Sequence, residues 1–542
     1  MLKNFLSILR EPDRVLFQYE DSAIRFEEPD SLESRTESYD YTINGGVGRF
    51  TLYPSGRPIK RIKLRWEGDL SGVISVLGDV VERNYDISYG INMNSSWRSI
   101  MPDVDLPWYF HAWNGQRLDC YGVKTDANAF ALFRVDERGI NLWLDLRCGG
   151  YGTVLREPLV LVNITERKGI EGEDPFAAAR SFCTMMCDKP VLPKTPLFGA
   201  NNWYWAYGNI SHDIVMDDTD NLMDICRDAK NQPYMVIDDG WQVNRYKHGD
   251  DSYNGGPWDR ANSAFPGGMQ ETAFRIRQKG AIPGIWFRPL LTMSEVKDEY
   301  ISPVKSAAHG LTLDPSHPEV LNMVVEDVKR ITEWGYGLIK YDFTTFDAIR
   351  PGGIAPEEQK PFYNRSLPTC AILKNLYKTI QDAAGDAVII GCSTINHILA
   401  GISASQRAGH DTSGRNYEIT RSAASAAMLR LPQNNTFFNI DPDCPAFTER
   451  VPIGANLDFL ELCARTGVAT LASITPGILK GNDLNRARKI YEIASVGGTG
   501  AVPLDWLMHN SQSKYLNSDS STFEMDWFST YGGARAFSTW MN

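Results

Sequence analysis

The sequence lacks the charge and the motifs that nucleic acids and metal ions require. Its 542 residues include 55 Lys and Arg against 67 Asp and Glu, so no basic excess is present to neutralise phosphates. The 8 histidines are dispersed without an HExxH or HxH pair, and no GxSxG elbow occurs. We therefore expect no nucleic-acid partner, no bound metal, no cofactor and no serine-based acyl transfer.

Disulfide and membrane signals are also missing. The 9 cysteines are scattered, and the closest pair, Cys183 and Cys187, has the spacing of one helix face rather than of a CxxC site. Free thiols of this kind favour a reducing compartment. The opening segment MLKNFLSILREPDRV has a short apolar stretch that charged residues interrupt from Arg10 onward, and no cleavage site follows. The expectation is a cytoplasmic protein without a signal peptide, a membrane span or a membrane partner.

The chain changes its pattern near residue 190. Residues 40 to 165 hold short alternating runs such as GRFTLYPSG, RIKLRWEGD and PLVLVNITE between Gly, Pro, Asn and Asp, which is typical of an antiparallel β-sandwich. A predicted helix, DPFAAARSFCTMMCD, and a proline-rich joint, KPVLPKTP, follow. The pattern predicts a β-sandwich domain over 1–190, a catalytic domain over 191–500 and a short C-terminal β region over 501–542.

From residue 197 onward, strand-like and helix-like stretches alternate. The predicted strands end near Trp205, Ile237, Arg288, Tyr341, Cys392, Gly409, Ile440 and Thr475. Eight strand ends over roughly 280 residues predict an eight-stranded β/α (TIM) barrel. A doubly wound open sheet is the competing fold, but the first predicted strand, in NNWYWAYGN, lacks the Gly-rich phosphate loop that such sheets carry there. The predicted fold class is therefore multidomain, with β and α/β parts.

The stretch YMVIDDGWQVN places two carboxylates, a glycine and an indole directly after a buried strand. In a β/α barrel the carboxyl ends of the strands face one shared mouth. The other strand ends supply further polar and aromatic side chains, namely Trp203, Trp205, Arg288, Lys340, Asp342, Cys392, Ser393, Arg407, Asp411, Asp441 and Asp443. Any one aspartate here could instead cap a helix, and Trp203 or Trp205 could belong to the core. Their concentration at six or more strand ends favours a functional site.

Paired carboxylates suit the cleavage of a glycosidic bond. One attacks or stabilises the anomeric carbon while the other protonates the leaving oxygen. Asp238 and Asp239 would then accept hydrogen bonds from sugar hydroxyls, while Trp241 or Trp203 shapes the pocket. Ser393 lacks an evident His and carboxylate partner in the sequence, which argues against a nucleophilic serine.

Four motifs, YMVIDDGWQ, PGIWFRP, LDPSHPEV and YGLIKYDF, resemble in that order the α-galactosidases of glycoside hydrolase family 36 in clan D. They also resemble the raffinose synthase-like branch of that family. The resemblance implies that Asp342, at the end of a K-x-D motif, is the nucleophile and that Asp411 is the acid/base. It further implies that the glycone binds to Asp238, Asp239, Lys340, Trp203 and Cys392, and the strand-end pattern adds Trp241, Arg288 and Arg407.

The sequence departs from the family pattern at several of these positions. GCSTINHI lacks the glycine run after Cys392, and WFRPLL in place of WFEPEM puts Arg288 where a carboxylate is usual. RAGHDTSG lacks the SDxTDA ending around Asp411, and NIDPDCPAF adds Asp441 and Asp443 as further hydroxyl ligands or a competing acid.

The predicted function is a retaining hydrolase of terminal α-linked galactose that acts on a carbohydrate substrate by double displacement. The departures keep three alternatives open. These are an α-glycosidase of another glycone such as α-N-acetylgalactosamine, a raffinose synthase-like glycosyl transferase, and a carbohydrate-binding protein without catalysis. The sequence leaves open whether the chain forms a homo-oligomer.

Overall fold

A computed structural model describes residues 5–21, 33–34, 38–83, 96–102, 104–243, 256–304, 310–349 and 360–527 of the chain. The first residues of the opening segment, 1–4, and the end of the predicted C-terminal region, 528–542, lie outside the described residues. Within the described part, no helix has the length and apolar content needed to cross a bilayer.

Two antiparallel sheets of six strands each make up the first part of the chain. Their strands are β1 (Arg14–Tyr19), β2 (Glu33–Ser34), β3 (Tyr39–Asn44), β4 (Val47–Leu52), β5 (Ile59–Glu67), β6 (Ser75–Gly78), β7 (Leu106–Pro107), β8 (Tyr109–Trp113), β9 (Leu118–Val123), β10 (Phe130–Asp136), β11 (Gly139–Asp145) and β12 (Leu159–Arg167). The strand orders are β2-β1-β5-β11-β10-β7 and β3-β4-β12-β9-β8-β6. The expected antiparallel strands are thus confirmed.

Aromatic side chains fill the space between the two sheets. The ring centroids of Phe110 on β8 and Phe133 on β10 are 5.3 Å apart, and those of Phe17 on β1 and Tyr39 on β3 are 6.1 Å apart. Each pair joins one sheet to the other. The alternation along each strand puts these rings on the inner faces, which is the arrangement that stabilises sheets packed face to face.

Helix α1 (Pro175–Met186) follows the second sheet, in the stretch where the sequence predicts a helix. Its start is fixed by Asp174, whose carboxylate accepts a hydrogen bond from the backbone N–H of Ala177 at 2.8 Å, and by a proline in the first position. The helix packs Phe182 into the sheets, 6.1 Å from His111 between ring centroids.

A nine-stranded parallel sheet with alternating helices forms the second part of the chain. In chain order its elements, with a small two-stranded sheet of β16 and β17, are β13 (Phe198–Asn201), α2 (Trp203–Ala206), α3 (His212–Ile225), β14 (Tyr234–Ile237), α4 (Gly268–Lys279), β15 (Ile282–Phe287), β16 (Leu291–Thr292), β17 (Leu311–Thr312), α5 (Pro318–Glu333), β18 (Leu338–Tyr341), α6 (Thr344–Ala348), α7 (Thr369–Ala384), β19 (Val388–Gly391), α8 (Asn396–Leu399), β20 (Ser405–Arg407), α9 (Tyr417–Leu429), β21 (Asn439–Asp441), β22 (Ala446–Phe447), α10 (Ile453–Thr466), β23 (Thr470–Ile474) and α11 (Gly481–Ala494). Among the described residues, 3₁₀ turns span Asp298–Tyr300 and Leu431–Gln433.

The parallel sheet curls on itself. Its strand order is β21-β20-β19-β18-β15-β14-β13-β23-β22, so the two end strands, β21 and β22, are consecutive in the chain. One backbone hydrogen bond, from the N–H of Ala469 to the carbonyl of Ile440 at 2.8 Å, links β21 to the residue before β23. The order matches the succession of strands in a β/α barrel, in which each strand pairs with the next along the chain.

The end of the first parallel strand differs from the prediction. β13 ends at Asn201, and Trp203–Ala206 forms a helical turn instead of continuing the strand to Trp205. The turn begins there because the side-chain oxygen of Asn201 accepts a hydrogen bond from the N–H of Trp203 at 2.9 Å. Such a bond competes with the ladder of a strand and turns the chain toward the sheet edge.

A three-stranded antiparallel sheet follows, made of β24 (Val502–Pro503), β25 (Lys514–Leu516) and β26 (Thr522–Glu524). The segment between β24 and β25 contacts the first part of the chain through an aromatic pair, Trp97 and Trp506, with ring centroids 5.2 Å apart. The expected β-like C-terminal stretch therefore contains strands as far as Glu524.

Candidate active site

The carboxyl ends of the parallel strands bring together most of the side chains that the sequence predicts to be functional. Asp238 and Asp239 follow β14, Arg288 follows β15, and Asp342 follows Lys340 at the end of β18. Cys392 and Ser393 follow β19, Arg407 ends β20 with Asp411 four residues later, and Asp441 ends β21. Because these strands are parallel and adjacent, their ends meet at one edge of the curled sheet.

Asp238 and Lys340 form a buried ion pair across two strands. The ammonium of Lys340 lies 2.7 Å from Oδ2 of Asp238, and the amide of Asn201 donates to the same oxygen at 2.6 Å. Burial alone would lower the pKa of Lys340, but the Asp238 carboxylate raises it above the ordinary value. The lysine is therefore held charged at the bottom of the site.

The DDGW stretch forms a tight turn at the end of β14. The N–H of Asp239 donates to Oδ1 of Asp238 at 2.9 Å, and the amide of Gln242 donates to Oδ1 of Asp239 at 2.6 Å. Gly240 has a φ of 125°, a backbone conformation that only glycine adopts without strain. The turn thus presents both carboxylates at the strand end, as the sequence predicts.

Asp342 is surrounded by hydrogen-bond donors. The indole N–H of Trp286 donates to Oδ2 of Asp342 at 3.1 Å, the N–H of Phe343 donates to Oδ1 at 2.7 Å, and the Ser393 hydroxyl is a further partner. Burial alone would raise the pKa of Asp342, but the charges of Arg83 and Lys340 and the Ser393 hydrogen bond hold it below its ordinary value. Asp342 is therefore an ionised carboxylate in a closely fitted pocket.

Asp411 is the exposed member of this cluster. Its side chain is 53% exposed, and its Oδ1 lies 2.6 Å from Nη1 of Arg83 and 3.1 Å from Nη1 of Arg407. Desolvation of the carboxyl group by the surrounding protein would raise the pKa of Asp411. The positive charges of Arg83, Arg407, Lys340 and His410 outweigh this effect and lower the pKa to about 2 in the free protein. A solvent-facing carboxylate between two guanidinium groups is thus ionised before a ligand binds.

Arg407 is held by three carboxylates. Besides Asp411, its Nε lies 3.3 Å from Oδ2 of Asp441 and its Nη2 lies 2.8 Å from Oδ1 of Asp443. Oδ2 of Asp443 also accepts hydrogen bonds from the Tyr204 hydroxyl and from the N–H of Thr412. Asp441 and Asp443, which the sequence leaves open, therefore orient Arg407 from inside the protein.

Trp241 and Arg288 lie behind the site rather than at its surface. Trp241 is fully buried, with its indole N–H donating to the carbonyl of Trp286 at 2.8 Å. Arg288 is 2% exposed, makes two hydrogen bonds of 2.8 and 2.6 Å to Asp347, and lies over the Phe343 ring. The structure thus places these two residues where they support Trp286 and the segment after Asp342.

Trp203 and Cys392 follow the ends of β13 and β19, respectively. Trp203 is partly buried in α2, with its ring 5.7 Å from that of Tyr207 between centroids. Cys392 is buried beside Arg83, whose Nη1 is 4.0 Å from its sulfur. Burial raises the pKa of the Cys392 thiol well above its ordinary value, so the thiol is neutral.

Sequence reasoning missed Trp286 and Arg83 as members of the site. Trp286 pairs with Lys340 in the register of β15 and β18. The sequence carries a signal for it, because Trp286 stands two residues before Arg288 as Lys340 stands two residues before Asp342. Arg83 has no such signal in the sequence, because it lies between β6 and β7 and follows none of the parallel strands. Ser393 is already among the strand-end side chains that the sequence predicts, and the structure places its hydroxyl oxygen 2.7 Å from Nη2 of Arg83.

Comparison with known proteins places this fold. No protein-family model matches the chain. The bifunctional α-galactosidase/sucrose kinase AgaSK of Mediterraneibacter gnavus is 26% identical over 162 residues, a match that spans 28% of this chain and 16% of that protein.

Solved structures match over most of the chain. The α-galactosidase TtGalA from Thermus thermophilus has a TM-score of 0.59 at 17% identity, with 90% of this chain and 99% of that chain covered. The family 36 α-galactosidase AgaA from Geobacillus stearothermophilus has a TM-score of 0.57 at 11% identity, with coverages of 89% and 71%. An α-galactosidase from Lactobacillus brevis has a TM-score of 0.60 at 13% identity, with coverages of 94% and 75%. The comparisons confirm the predicted resemblance: the chain has the fold of α-galactosidases of glycoside hydrolase family 36.

Proposed function

We propose that this chain is a retaining glycoside hydrolase that releases terminal α-linked galactose from oligosaccharides or glycoconjugates by double displacement. The observation that carries the proposal is the contrast between two carboxylates at one strand edge, buried Asp342 and exposed Asp411, which share Arg83 as a positive neighbour. Such a pair supplies the nucleophile and the acid/base that retention requires.

Asp342 is the proposed nucleophile. Its ionised form is favoured by Arg83 and Lys340, and its two oxygens are oriented by Trp286 and the backbone of Phe343. In the first step Asp342 attacks the anomeric carbon, the glycosidic bond breaks, and an ester forms between the sugar and the carboxylate. The lowered pKa keeps the attacking group charged at neutral pH.

Asp411 is the proposed acid/base. A bound sugar covers its exposed side chain, and the loss of water favours the protonated carboxyl group, which donates its proton to the leaving oxygen. In the second step the Asp411 carboxylate takes a proton from the water that attacks the anomeric carbon, and the bond from that carbon to the Asp342 oxygen breaks, which frees the Asp342 carboxylate. The proton lost in the first step is thereby regained.

The glycone is proposed to bind between the ends of β13 and β20. Asp238, Asp239 and Lys340 hold hydroxyl groups, while Arg407 and Cys392 border the site on the other side. Trp203 offers its ring face to the sugar, and Trp241 and Arg288 act from behind by fixing the neighbouring segments.

The proposed function also has consequences for the barrel, the domains and the location of the protein. We propose that the curled sheet works as a closed eight-stranded barrel, in which β21 and β22 together count as the seventh strand. The proposed domains are 1–190, 191–500 and 501–542. The 9 free, buried cysteines support a reducing, cytoplasmic location.

A panel of para-nitrophenyl glycosides tests the proposed function. We expect release of nitrophenolate from the α-galactoside by the wild-type chain and none from an Asp342→Gly variant purified in the same way, which controls for contaminating hydrolases. Release from a different α-glycoside would reassign the glycone, and transfer to a sugar acceptor without net hydrolysis would favour a transferase. Binding of galactose without any release would favour a carbohydrate-binding protein.

A further inference from the structure

Arg83 belongs to the antiparallel-sheet part of the chain, five residues after β6, yet its guanidinium lies among the residues of the candidate site. Its Nη1 donates to Oδ1 of Asp411 at 2.6 Å, and its Nη2 donates to the hydroxyl oxygen of Ser393 at 2.7 Å. Its Nε donates to Glu82 at 2.9 Å. All three guanidinium nitrogens therefore contact protein groups.

Ser393 connects Arg83 to the second carboxylate. Its oxygen accepts from Arg83, and the same side chain hydrogen-bonds to Asp342. A hydroxyl group has one proton and two lone pairs, so it can accept from a guanidinium while donating to a carboxylate. Arg83 thus reaches Asp411 directly and Asp342 through one hydroxyl group.

The backbone around Arg83 is fixed to the ends of two helices that flank the parallel sheet, α8 and α9. The carbonyl of Arg83 accepts a hydrogen bond from Nη1 of Arg430 at 2.6 Å, and Glu82 forms a β-bridge with Ile395. Arg83 and Ser393 have φ angles of 45° and 47°, which is unusual for residues with a side chain. Conformations of this kind persist where the surroundings impose them, and they concentrate at functional sites.

We propose that Arg83 is a positioning residue for the reaction, which aims Asp411 at the leaving oxygen and, through Ser393, holds Asp342 toward the anomeric carbon. The inference rests on the proposed function and adds a contribution from the antiparallel sheets to it. Because its nitrogens are bound to protein groups, Arg83 acts through the two carboxylates.

The charge of Arg83 gives this role a measurable signature. It lowers the pKa of Asp342 and of Asp411, in an environment that also contains Glu82, Tyr204, Lys340, Cys392, Arg407, His410 and Asp443. Removing the positive charge therefore raises both pKa values. In the profile of kcat against pH, which reports the enzyme with substrate bound, the acid limb reports the carboxylate that must be ionised and the alkaline limb the one that must be protonated. Both limbs should move to higher pH.

The experiment compares wild type with Arg83→Gln, Arg83→Lys, Ser393→Ala and Glu82→Gln on para-nitrophenyl α-galactoside over the acidic and alkaline range. For Arg83→Gln we expect kcat to fall about 10²-fold with little change in KM, and both limbs to rise by roughly one pH unit. Arg83→Lys keeps the charge, so its limbs stay near those of wild type while kcat falls. Ser393→Ala moves the acid limb alone, and Glu82→Gln measures the separate titration of Glu82, whose pKa burial raises to about 7.

Arg117→Gln is the matched control for Arg83→Gln. Arg117 is likewise buried in the antiparallel-sheet part and pairs with a carboxylate, Asp119, at 2.9 Å, but it lies outside the site. We expect this variant to keep the wild-type kcat and both limbs. If Arg117→Gln moved the limbs as Arg83→Gln does, the effect would be a general response to the loss of a buried ion pair and the proposal would be overturned.

The outcomes separate this inference from the proposed function. An active wild type with unchanged limbs and kcat in Arg83→Gln overturns the inference alone. If Arg83→Gln fails to fold, Arg83→Lys and Ser393→Ala carry the same test. If wild type hydrolyses no glycoside, the proposed function fails, and a crystal structure of Arg83→Lys decides the positioning role. There we expect Asp411 to leave its present position while the Asp238–Lys340 pair stays, whereas an unmoved Asp411 contradicts it.

Discussion

The two sides of the candidate site handle charge in different ways. On the β14–β18 side, Lys340 is paired with Asp238 and stands close to Asp342, and all three side chains are buried. On the β20–β21 side, Arg407 is shared by three carboxylates, of which Asp441 and Asp443 are buried while Asp411 is 53% exposed. The β14–β18 side holds the Lys340 charge in place and orients the Asp342 carboxylate for its proposed attack on the anomeric carbon. The β20–β21 side leaves one carboxylate accessible, so that its protonation can change during a reaction.

The largest loss of activity is expected from a substitution on the β14–β18 side. Asp342→Gly removes the proposed nucleophile and should lower kcat by about 10⁴-fold or more. A small anion such as azide should restore turnover, because it fits the space that the carboxylate leaves, and should give a glycosyl azide of inverted configuration. The measurement is the rate with and without azide together with the anomeric configuration of the product. Activity close to wild type without azide would assign the nucleophile to another group.

The accessible side should show a different dependence. Asp411→Ala should lower kcat/KM by about 10²- to 10⁴-fold on substrates with a poor leaving group. It should change the rate little for a dinitrophenyl glycoside, whose leaving oxygen needs no proton. The comparison of the two substrates in one variant is the measurement, and Asp441→Ala, which also removes a carboxylate from Arg407, is the matched variant. A leaving-group dependence in Asp441→Ala but not in Asp411→Ala would move the acid to β21.

A structural carboxylate behind the β14–β18 side should affect folding instead. Asp347 is fully buried and accepts two hydrogen bonds from Arg288, so Asp347→Ala removes the charged partner of both bonds from a buried guanidinium. The free energy of unfolding should fall by about 3–5 kcal/mol. Urea unfolding of the variant and of wild type measures this difference. A loss below about 1 kcal/mol would mean that Arg288 finds another partner and that the pair does not secure the segment after Asp342.

A substitution in the DDGW turn should have the smallest effect of the four, and this effect should be on kcat/KM rather than on folding. Asp239→Ala removes a carboxylate that we propose to accept hydrogen bonds from the glycone. The expected loss is about 1.5–3 kcal/mol of transition-state binding, measured as kcat/KM. The free energy of unfolding should change far less than in Asp347→Ala. An Asp239→Ala variant that unfolds readily but keeps kcat/KM would show that Asp239 stabilises the fold and does not bind the glycone.

The difference between the two sides also shows what the sequence can reveal. Lys340 and Asp342 stand two residues apart, and the DDGW turn is contiguous, so both were visible as local motifs at strand ends. Arg83 is 328 residues from Asp411, and no spacing in the sequence brings them together. The helical turn at Trp203 depends on one hydrogen bond to Asn201, which competes with the strand propensity of the surrounding aromatic residues. Contacts between distant parts of the chain and side-chain caps are therefore what the sequence pattern leaves undetermined.

The stereochemical course of hydrolysis tests the central claim most directly. A fixed nucleophile on one side and an exchangeable acid on the other require two displacements at the anomeric carbon, each with inversion. ¹H NMR of the sugar first released from an α-galactoside, recorded before mutarotation, should show the α-anomer. An initial β-anomer would mean a single displacement by water and would contradict the assignment of Asp342 as a nucleophile.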